Sequence, residues 1–397
     1  MVEQVPLAEL EGRLRRFRAG MEGESPGWEM AAIFGRVNLY YFTGTIQDGV
    51  LLIRPDGDPV FWVRRSYERA RDESAFPWIR PMSGFGDVAR DSGPVPRRIH
   101  LETELVPLAL LERFRKYFPV TDVQPLDRQV MRVRAVKSSF EISLLERAGA
   151  IHEKVLERLV PGMLDEGMTE AALACELSSV MVEEGHQGIV RFGGFNTEIE
   201  VGQIAFGENS LYPTCFNGPG GCTGLCPAAP VLGSRSRRLA DGDLVFIDCA
   251  CGVEGYQTDK TMTYVFGKPL PEEVIAIHRR CVELEHRMAA MLRPGNTPSS
   301  VYARVMEDLD PAFLENFMGF GNRRAGFLGH GVGLAVDEPP VIAPGFEEPF
   351  EEGMAIALEP KKGIPGRGMV GTENTFLVTK HGGRSLTGAS PGLIPVP

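Results

Sequence analysis

The sequence lacks an apolar run long enough to span a bilayer, and its N-terminus shows no signal-peptide pattern. We therefore expect a cytoplasmic protein without a membrane partner. The sequence also lacks an excess of positive charge, because 53 acidic residues outnumber 42 basic residues and give a formal net charge of −11. An acidic surface repels phosphate backbones, so a nucleic-acid partner is not expected.

The cysteines lack the spacing of a disulfide framework or of a zinc site. Three residues separate Cys222 from Cys226 and one separates Cys249 from Cys251, whereas structural zinc sites typically contain CxxC pairs. The total of seven is odd. We expect reduced thiols, with a structural zinc or iron–sulfur site as the disfavoured alternative. The cysteines are Cys175, Cys215, Cys222, Cys226, Cys249, Cys251 and Cys281.

The length of 397 residues exceeds one typical core, so two domains are expected. Residues 1–125 have the pattern of a small mixed α/β domain that serves as a scaffold or in dimerisation, since they contain no paired titratable cluster. We predict a helix over 7–19 and a turn at Asp56-Gly57-Asp58. Short strands are predicted at Met30–Phe34, Leu39–Phe42, Val50–Ile53 and Pro59–Val63.

Residues 126–397 form the second predicted domain. Ser138 and Glu141 fit a capping box that begins a helix, which Pro161-Gly162 ends. Further helices are predicted over 169–184 and 271–292. Residues 193–242 are rich in glycine and proline, with weak strand signal, and loops of this length are uncommon unless they are functional. We interpret residues 217–226 as a loop over or beside a site, with a surface insertion as the alternative.

Two aspartates face each other in a predicted hairpin. Leu244–Ile247 is typical of a buried strand, and Tyr256–Phe266 is rich in residues that suit a strand. A reversal between Val253 and Glu254 would place Asp248 directly opposite Asp259, with β-carbons ~4.5–5.5 Å apart. Like charges in this position destabilise a ladder, so a shared proton or a bound cation must offset the repulsion.

A second predicted hairpin repeats the arrangement with glutamates. The strand 354–358 ends at Glu359, the turn 363–368 is centred on Gly366, and the return strand covers 372–379. This register places Glu359 opposite Glu373. Four solvated strand acids are the alternative, but exposed acids rarely follow a run as apolar as Val245–Ile247.

One of the seven histidines stands apart from the others. His330 lies in Gly329-His330-Gly331-Val332-Gly333, where glycines allow close approach, while His152, His278 and His286 lie on amphipathic helices and are expected to be packed or on the surface. Four carboxylates and one imidazole suit Mn²⁺, Co²⁺, Fe²⁺ or Zn²⁺. Two such ions ~3.5–4 Å apart would share carboxylates and activate a water.

These motifs resemble the pita-bread metallopeptidases, a family that includes methionine aminopeptidase, aminopeptidase P, prolidase and the metal-free creatinase. The resemblance covers most of the chain. Residues 133–148 are similar to the start of the family's catalytic domain, and residues 38–44 (NLYYFTG) to the creatinase-type N-terminal domain. The ligand motifs are Asp248 with Asp259 eleven residues later, then GHGVGL, LEP and GTEN.

The resemblance implies an α+β fold, with a creatinase-like N-terminal domain followed by a pita-bread domain. It implies that Asp248 binds the first of two divalent ions, with manganese favoured, and that Asp259 and Glu373 bridge both ions. His330 and Glu359 would bind the second, and Glu359 would act as general base. The resemblance also implies a homodimer and a short peptide or small amide as substrate.

Three departures from the family pattern affect the expected chemistry. The family has a histidine seven residues after the metal histidine, where this chain has Asp337, and another in a loop before the first ligand strand, where residues 187–277 contain none. The pattern Asp-x-Thr-Arg-Thr is here Asp259-Lys260-Thr261-Met262-Thr263. An ionised Asp337 accepts hydrogen bonds but donates none, so it would favour a cationic group such as a substrate amine.

These features predict a metal-dependent amide hydrolase, of X-Pro aminopeptidase or X-Pro dipeptidase type, with Glu359 and Asp337 as catalytic residues. Two alternatives stay open from the sequence. One is a creatinase-like hydrolase of a small non-peptide C–N bond. The other is a catalytically weak pita-bread protein that binds a partner, although such relatives typically lose their metal ligands.

Overall fold

The computed structural model describes residues 4–193 and 199–397. Residues 194–198, which belong to the predicted loop 193–242, lie outside the described part. The chain divides into two compact units, the first ending at Arg134 and the second beginning at Ala135. The predicted domain boundary at 125/126 lies one helix before this division and stays a prediction. No helix within the described ranges is both long enough and apolar enough to cross a membrane.

The first unit is a six-stranded mixed sheet with helices, in the strand order β4-β3-β2-β1-β5-β6. Its strands are β1 (Ala31–Ile33), β2 (Gly49–Ile53), β3 (Val60–Val63), β4 (Ile79–Pro81), β5 (Arg98–Leu101) and β6 (Asp122–Pro125). Its helices are α1 (Leu7–Glu24), α2 (Arg36–Thr43), α3 (Tyr67–Glu73), α4 (Phe85–Asp91), α5 (Leu108–Arg115) and α6 (Asp127–Ala135), the last reaching the division.

The predicted opening helix and three of the four predicted strands are confirmed, but the strand predicted at Leu39–Phe42 is wrong, because these residues lie in α2. The helix ends at Gly44, whose positive φ of 72° suits glycine and whose N–H donates to the Tyr40 carbonyl. The ring of Phe42 packs 5.2 Å from that of Phe17 of α1. Aromatic residues favour strands only weakly, and packing on α1 decides the helical conformation here.

The second unit contains the predicted helices. The capping box is present, since the Ser138 hydroxyl accepts from the Glu141 N–H and the Glu141 carboxylate accepts from the Ser138 N–H. The helix that begins there continues as a π-helical segment over Glu153–Leu159 and a 3-10 turn at Val160–Gly162. The α-helices are α7 (Ser139–His152), α8 (Glu170–Glu183), α9 (Glu272–Met291), α10 (Pro298–Glu307) and α11 (Pro311–Leu314).

Two larger sheets of the second unit have the orders β13-β12-β14-β17-β18 and β19-β9-β8-β7, and two short pairs, β10-β11 and β15-β16, accompany them. Helix α7 packs on β8 and β9, and α9 packs on β16 and β18. The strands are β7 (Gly202–Phe206), β8 (Leu244–Val253), β9 (Tyr256–Phe266), β10 (Gly319–Phe320), β11 (Arg323–Arg324), β12 (Gly329–Gly331), β13 (Glu338–Val341), β14 (Ala355–Leu358), β15 (Lys361–Ile364), β16 (Gly368–Gly371), β17 (Asn374–Thr379), β18 (Gly382–Ser385) and β19 (Ile394–Val396).

The fold is α+β, as predicted: the sheet of the first unit is mixed, and the sheets of the second unit are antiparallel except for the parallel pair β9–β19. The loop predicted over 193–242 is wrong in one part, because Gly202–Phe206 form strand β7 and a 3-10 turn follows at Gly207–Leu211. Strand β7 pairs antiparallel with β8 and is fully buried. Its short length and its glycine, which lies at a positive φ of 156°, weakened the strand signal in the sequence.

Candidate metal centre

The first hairpin, β8–β9, carries its two aspartates on one face but not directly opposite each other. The ladder pairs Asp248 with Thr261 and Asp259 with Ala250, so the predicted pairing of Asp248 with Asp259 is wrong. The reversal lies at Glu254-Gly255, both at positive φ (47° and 92°), one residue later than expected. The resulting shift of two positions keeps both aspartates on the same face.

The second hairpin has the predicted register. Strands β14 and β17 pair Leu358 with Asn374, and β15 and β16 pair Lys361 with Gly371. Glu359 and Glu373 lie in the gap between these two ladders, at the positions that the same register would pair.

Thr261 connects the two hairpins. Its N–H donates to the Glu373 carbonyl at 3.2 Å, and its hydroxyl donates to Glu373 Oε2 at 2.9 Å. Because Thr261 is also the ladder partner of Asp248, the four carboxylates of the two hairpins converge in one buried cluster, in which each residue is at most 8% exposed.

His330 completes this cluster from strand β12, where it pairs with Ala357 of β14. Its Nε2 lies 3.5 Å from Glu359 Oε1, 3.8 Å from Glu373 Oε1 and 3.9 Å from Asp259 Oδ2. One ligand atom from each of Asp259, His330 and Glu373 lies within 4.8 Å of the other two, which is a spacing that a single metal ion can bridge. The structure thus brings all five predicted ligands together.

A lysine that was not predicted lies among the same carboxylates. The Nζ of Lys361, whose side chain is fully buried, donates to Glu373 Oε2 at 2.6 Å, to Asp248 Oδ2 at 3.1 Å and to Glu359 Oε2 at 3.1 Å. The sequence contained a signal for this contact. Lys361 follows Glu359 by two residues, and side chains at that spacing in an extended chain point to the same side.

Burial and mutual repulsion shift the protonation equilibria of the cluster. Burial, together with the carboxylates of Glu373 and Asp248, raises the pKa of Asp259 well above its ordinary value. Burial, with a further contribution from Glu373, raises the pKa of Glu359 to about 8, although Lys361 opposes the shift. The cluster therefore holds more acid than counter-charge.

The two bases of the cluster shift in the direction expected beside acids. Burial lowers the pKa of Lys361, but the carboxylates of Asp248 and Glu373 outweigh burial and raise it well above the ordinary range. Burial likewise opposes protonation of His330, while the negative charges of Asp337 and Glu359 raise its pKa overall. Both bases are therefore favourable partners for the surrounding carboxylates.

One carboxylate oxygen supports the fit of a divalent ion. Among the residues that the structure describes, no group forms a hydrogen bond with the buried Oε1 of Glu373, and burying such an atom is costly unless something else satisfies it. It faces the Nε2 of His330, and carboxylate oxygen with imidazole nitrogen is a donor set typical of transition-metal ions. The residues present therefore fit at least one divalent ion beside His330.

A small pocket opens onto the cluster. Three phenylalanines give its walls an apolar surface, and the rings of Phe192 and Phe216 lie 5.1 Å apart in an edge-to-face arrangement. The loop predicted over or beside the site, residues 217–226, thus contributes Asn217 and Gly218 to the wall, and Phe216 directly precedes it. Besides the five predicted ligands, the lining residues are Phe192, Phe216, Asn217, Gly218, Phe327 and Asp337.

The remaining histidines and the cysteines lie outside the cluster. His152 and His278 are packed and His286 is exposed, as expected of helix histidines. The His152 ring bonds the Thr258 hydroxyl at 3.0 Å, and the His278 ring accepts from the Gly371 N–H at 3.2 Å. All seven thiols are unpaired.

Comparison with known proteins agrees with this geometry. A model of the metallopeptidase family M24 matches residues 143–380, and a model of the creatinase/prolidase N-terminal domain matches residues 13–136. The chain is 27% identical over 359 residues to an Xaa-Pro dipeptidase of Pyrococcus furiosus, covering 88% of this chain and 91% of that one. It is 32% identical over 267 residues to a probable dipeptidase PepE of Mycobacterium tuberculosis, covering 67% and 62%.

Solved structures show the same likeness. The crystal structure of dipeptidase PepE from Mycobacterium ulcerans matches with a TM-score of 0.79 at 26% identity, covering 100% of each chain. The prolidase from Pyrococcus furiosus matches with a TM-score of 0.74 at 25% identity, covering 94% of this chain and 99% of that one. With a family match over more than half of its length, the chain belongs to the metallopeptidase family M24.

Proposed function

We propose that this metallopeptidase hydrolyses the bond before proline in short X-Pro peptides, as an X-Pro dipeptidase or X-Pro aminopeptidase. The observation that carries the proposal is the buried convergence of four carboxylates and one imidazole, in which Glu373 Oε1 has no hydrogen-bond partner within residues 4–193 and 199–397. The names of the relatives, which include Xaa-Pro dipeptidase, support the substrate class. They do not favour a hydrolase of small non-peptide C–N bonds or a binding protein without catalysis.

The proposed ligands of the divalent ions are the five residues predicted from the sequence: Asp248, Asp259, His330, Glu359 and Glu373. Bound divalent ions supply a nucleophile from water at neutral pH and polarise the scissile carbonyl. Membership of metallopeptidase family M24 implies that the chain binds divalent metal ions. Four of the five proposed ligands are carboxylates, and this oxygen-rich ligand set favours manganese over cobalt, iron and zinc. The sequence predicts two ions.

Glu359 is the proposed general base. Burial raises the pKa of its carboxyl group above the ordinary value, which makes the ionised carboxylate a stronger base toward the proton of a water molecule. Glu359 would take the proton from the attacking water and pass it to the leaving amine of proline.

Asp337 is the proposed partner of the substrate amine. Its carboxylate lines the pocket and is near enough to His330 to raise the pKa of that ring. An ionised carboxylate attracts the free ammonium of a short peptide but donates no hydrogen bond to a developing oxyanion. The apolar walls from Phe192, Phe216 and Phe327 suit a proline ring.

The test measures release of the free N-terminal amino acid X from X-Pro dipeptides and X-Pro-Ala tripeptides, with X-Ala dipeptides as controls, after reconstitution with Mn²⁺ or Co²⁺. Turnover of dipeptides alone would indicate a dipeptidase, and turnover of both would indicate an aminopeptidase. Chelator-treated protein should be inactive. If no X-Pro substrate is hydrolysed by protein that has bound metal, the peptidase proposal is wrong.

A homodimer and a cytoplasmic location complete the proposal, and both derive from the resemblance and from sequence composition. Light scattering of the purified chain measures the first, with a mass of twice 43.6 kDa expected. Fractionation of the producing cell measures the second.

A further inference from the structure

The two glutamates of the centre divide their oxygens between two nitrogen atoms. Oε2 of Glu359 and Oε2 of Glu373 both accept from the Lys361 ammonium. Oε1 of each instead lies 3.5–3.8 Å from His330 Nε2. The carboxylates of the two hairpins therefore surround two positions. One already holds the Lys361 ammonium. The other lies beside His330, where Glu373 Oε1 has no hydrogen-bond partner in the described part of the chain.

We propose that the ammonium of Lys361 takes the place of one of the two divalent ions, so that this centre binds a single ion beside His330. The inference rests on the proposed metal-dependent function and changes its stoichiometry. The ion would be held by Asp259, His330, Glu359 and Glu373, while Asp248 would serve chiefly as a partner of Lys361.

The hydrogen-bonding capacity of the ammonium supports this assignment. A lysine ammonium has three N–H donors and no acceptor, and Lys361 has three carboxylate partners, at 2.6, 3.1 and 3.1 Å. These are distances typical of charge-assisted hydrogen bonds. A second ion at this position would have to take the same three oxygen atoms and leave the ammonium without partners.

The position of the lysine prevents it from simply moving aside. Its side chain is fully buried, and its backbone belongs to strand β15, where it pairs with Gly371. Nζ also lies 6.0 Å from the centre of the Phe246 ring, on the side of strand β8. Releasing the ammonium would bury an unpaired charge, which is strongly unfavourable.

Lys361 also changes the charge that bound ions have to offset. Without the lysine, two divalent ions would balance the four carboxylate ligands, whereas the ammonium already neutralises one of those four charges.

The experiment counts metal ions in the full-length chain. Metal-free protein is titrated with Mn²⁺, bound manganese is measured by elemental analysis after desalting, and electron paramagnetic resonance distinguishes an isolated ion from a coupled pair. We expect one Mn²⁺ per wild-type chain, with the spectrum of an isolated ion. The variant Lys361→Met should bind two ions and show the coupled signal, which is a twofold change in stoichiometry.

Two further variants separate the charge from other effects. Lys361→Arg retains a cation and should still bind one ion. Lys362→Met is the matched control, since the neighbouring lysine bonds backbone carbonyls, including that of Phe313 at 2.9 Å, and it should also bind one ion. If Lys361→Met fails to fold, the wild-type count still tests the inference, because two ions in wild-type protein would contradict it.

Three results would overturn the inference. Two ions in wild-type protein would contradict the single-ion inference and leave the proposed peptidase function intact. One ion in a folded Lys361→Met variant would show that the lysine does not set the number. No ion in wild-type protein would contradict both the single-ion inference and the proposed metal-dependent function. One ion in wild-type protein that does not hydrolyse X-Pro peptides would instead support the single-ion inference and contradict the proposed substrate.

Discussion

The two carboxylate hairpins supply two acids each, but they differ in how they offset the repulsion between them. In β8–β9 the ladder runs without interruption, and each aspartate lies opposite an uncharged residue, Thr261 or Ala250. In the second hairpin the ladder is interrupted where Glu359 and Glu373 lie, and the chain provides its own cation two residues later, from Lys361.

This difference shows two ways of building an acidic site. A continuous ladder places acids accurately by backbone hydrogen bonds and separates them by register, but it provides no cation of its own beside them. An interrupted ladder allows both acids to approach one point and needs an internal counter-charge. The first hairpin therefore depends on groups outside itself for its charge balance, since Asp248 accepts from Lys361 of the second hairpin and Asp259 faces the proposed ion site. The second hairpin is partly neutralised by its own lysine.

The largest expected effect is on catalysis, and it tests whether the acids of the two hairpins contribute jointly to one catalytic centre. We expect Asp259→Asn in the first hairpin and Glu359→Gln in the second each to lower kcat/KM for an X-Pro dipeptide by about 10²–10⁴-fold, because each removes a group at the reacting centre. The double variant should lose little more than either single one, since groups that act together are not additive.

The matched control for this pair is Glu352→Gln, an exposed glutamate of the same unit, which should leave kcat/KM unchanged. Losses that multiply in the double variant, or near-normal activity in Asp259→Asn, would show that the two hairpins work independently.

The next largest effect concerns the internal cation. In metal-free protein, Lys361→Met should lower the free energy of unfolding by about 3–5 kcal/mol, because it leaves buried carboxylates without their counter-charge. Saturating Mn²⁺ should reduce this loss, since the metal ion neutralises the same carboxylates. Denaturant unfolding with and without metal measures both values.

Lys260 of the first hairpin is the comparison for this experiment. It too is fully buried, but its ammonium donates to Asn374 Oδ1 at 2.7 Å and pairs with Glu157 at 3.3 Å, away from the proposed ligands. Lys260→Met should therefore be destabilising by an amount that Mn²⁺ does not change. An equal response of both variants to metal would mean that the two lysines do not differ in role.

A buried neutral histidine behind the second hairpin gives a pH dependence. The His278 ring accepts from the Gly371 N–H and donates to the Pro391 carbonyl at 2.5 Å, and burial lowers its pKa from 6.5 to about 4. Between these values the unfolded chain binds a proton that the folded chain does not. The contribution of His278 to the free energy of unfolding is therefore fully present above pH 6.5. It declines as the pH falls toward 4, by about 3 kcal/mol in total.

The variant His278→Gln isolates this contribution, because the other titrating groups are common to both proteins. Its free energy of unfolding should depend less steeply on pH between 6.5 and 4.5 than that of wild type. Parallel pH profiles of the two proteins would show that His278 titrates normally. His152, behind β9, has a pKa lowered in the same direction by burial, so His152→Gln should flatten the profile as well.

The sequence predicted most of this centre because its signals are local. Apolar runs that end at acids marked strands β8 and β14, and the glycines of the second turn gave the register of Glu359 and Glu373. The first register was shifted by two because Glu254, a residue that rarely adopts positive φ, occupies the turn. Lys361 was missed because a lysine is expected in solvent, and only the assembled cluster makes its burial favourable.

Other errors came from tertiary packing. The conformation of Leu39–Phe42 follows from contact with α1, which the sequence of the segment does not contain. Strand β7 forms because β8 offers it a partner over five residue pairs. Elements that depend on a neighbour distant in the chain are the ones that single-sequence patterns do not resolve.

The smallest expected effect concerns the turn that caused the register error. Glu254 has a φ of 47° and precedes Gly255 in a two-residue reversal, and Asn-Gly is the pair best suited to such a turn because asparagine tolerates positive φ. Glu254→Asn should therefore raise the free energy of unfolding by about 0.5–1 kcal/mol. Glu254→Gln, which removes the same charge without the conformational preference, should not. The second hairpin offers no equivalent gain, since its turn already has glycine at the positive-φ position Gly366. Equal effects of asparagine and glutamine in denaturant unfolding would mean that the side-chain charge, rather than backbone strain, distinguishes the first turn.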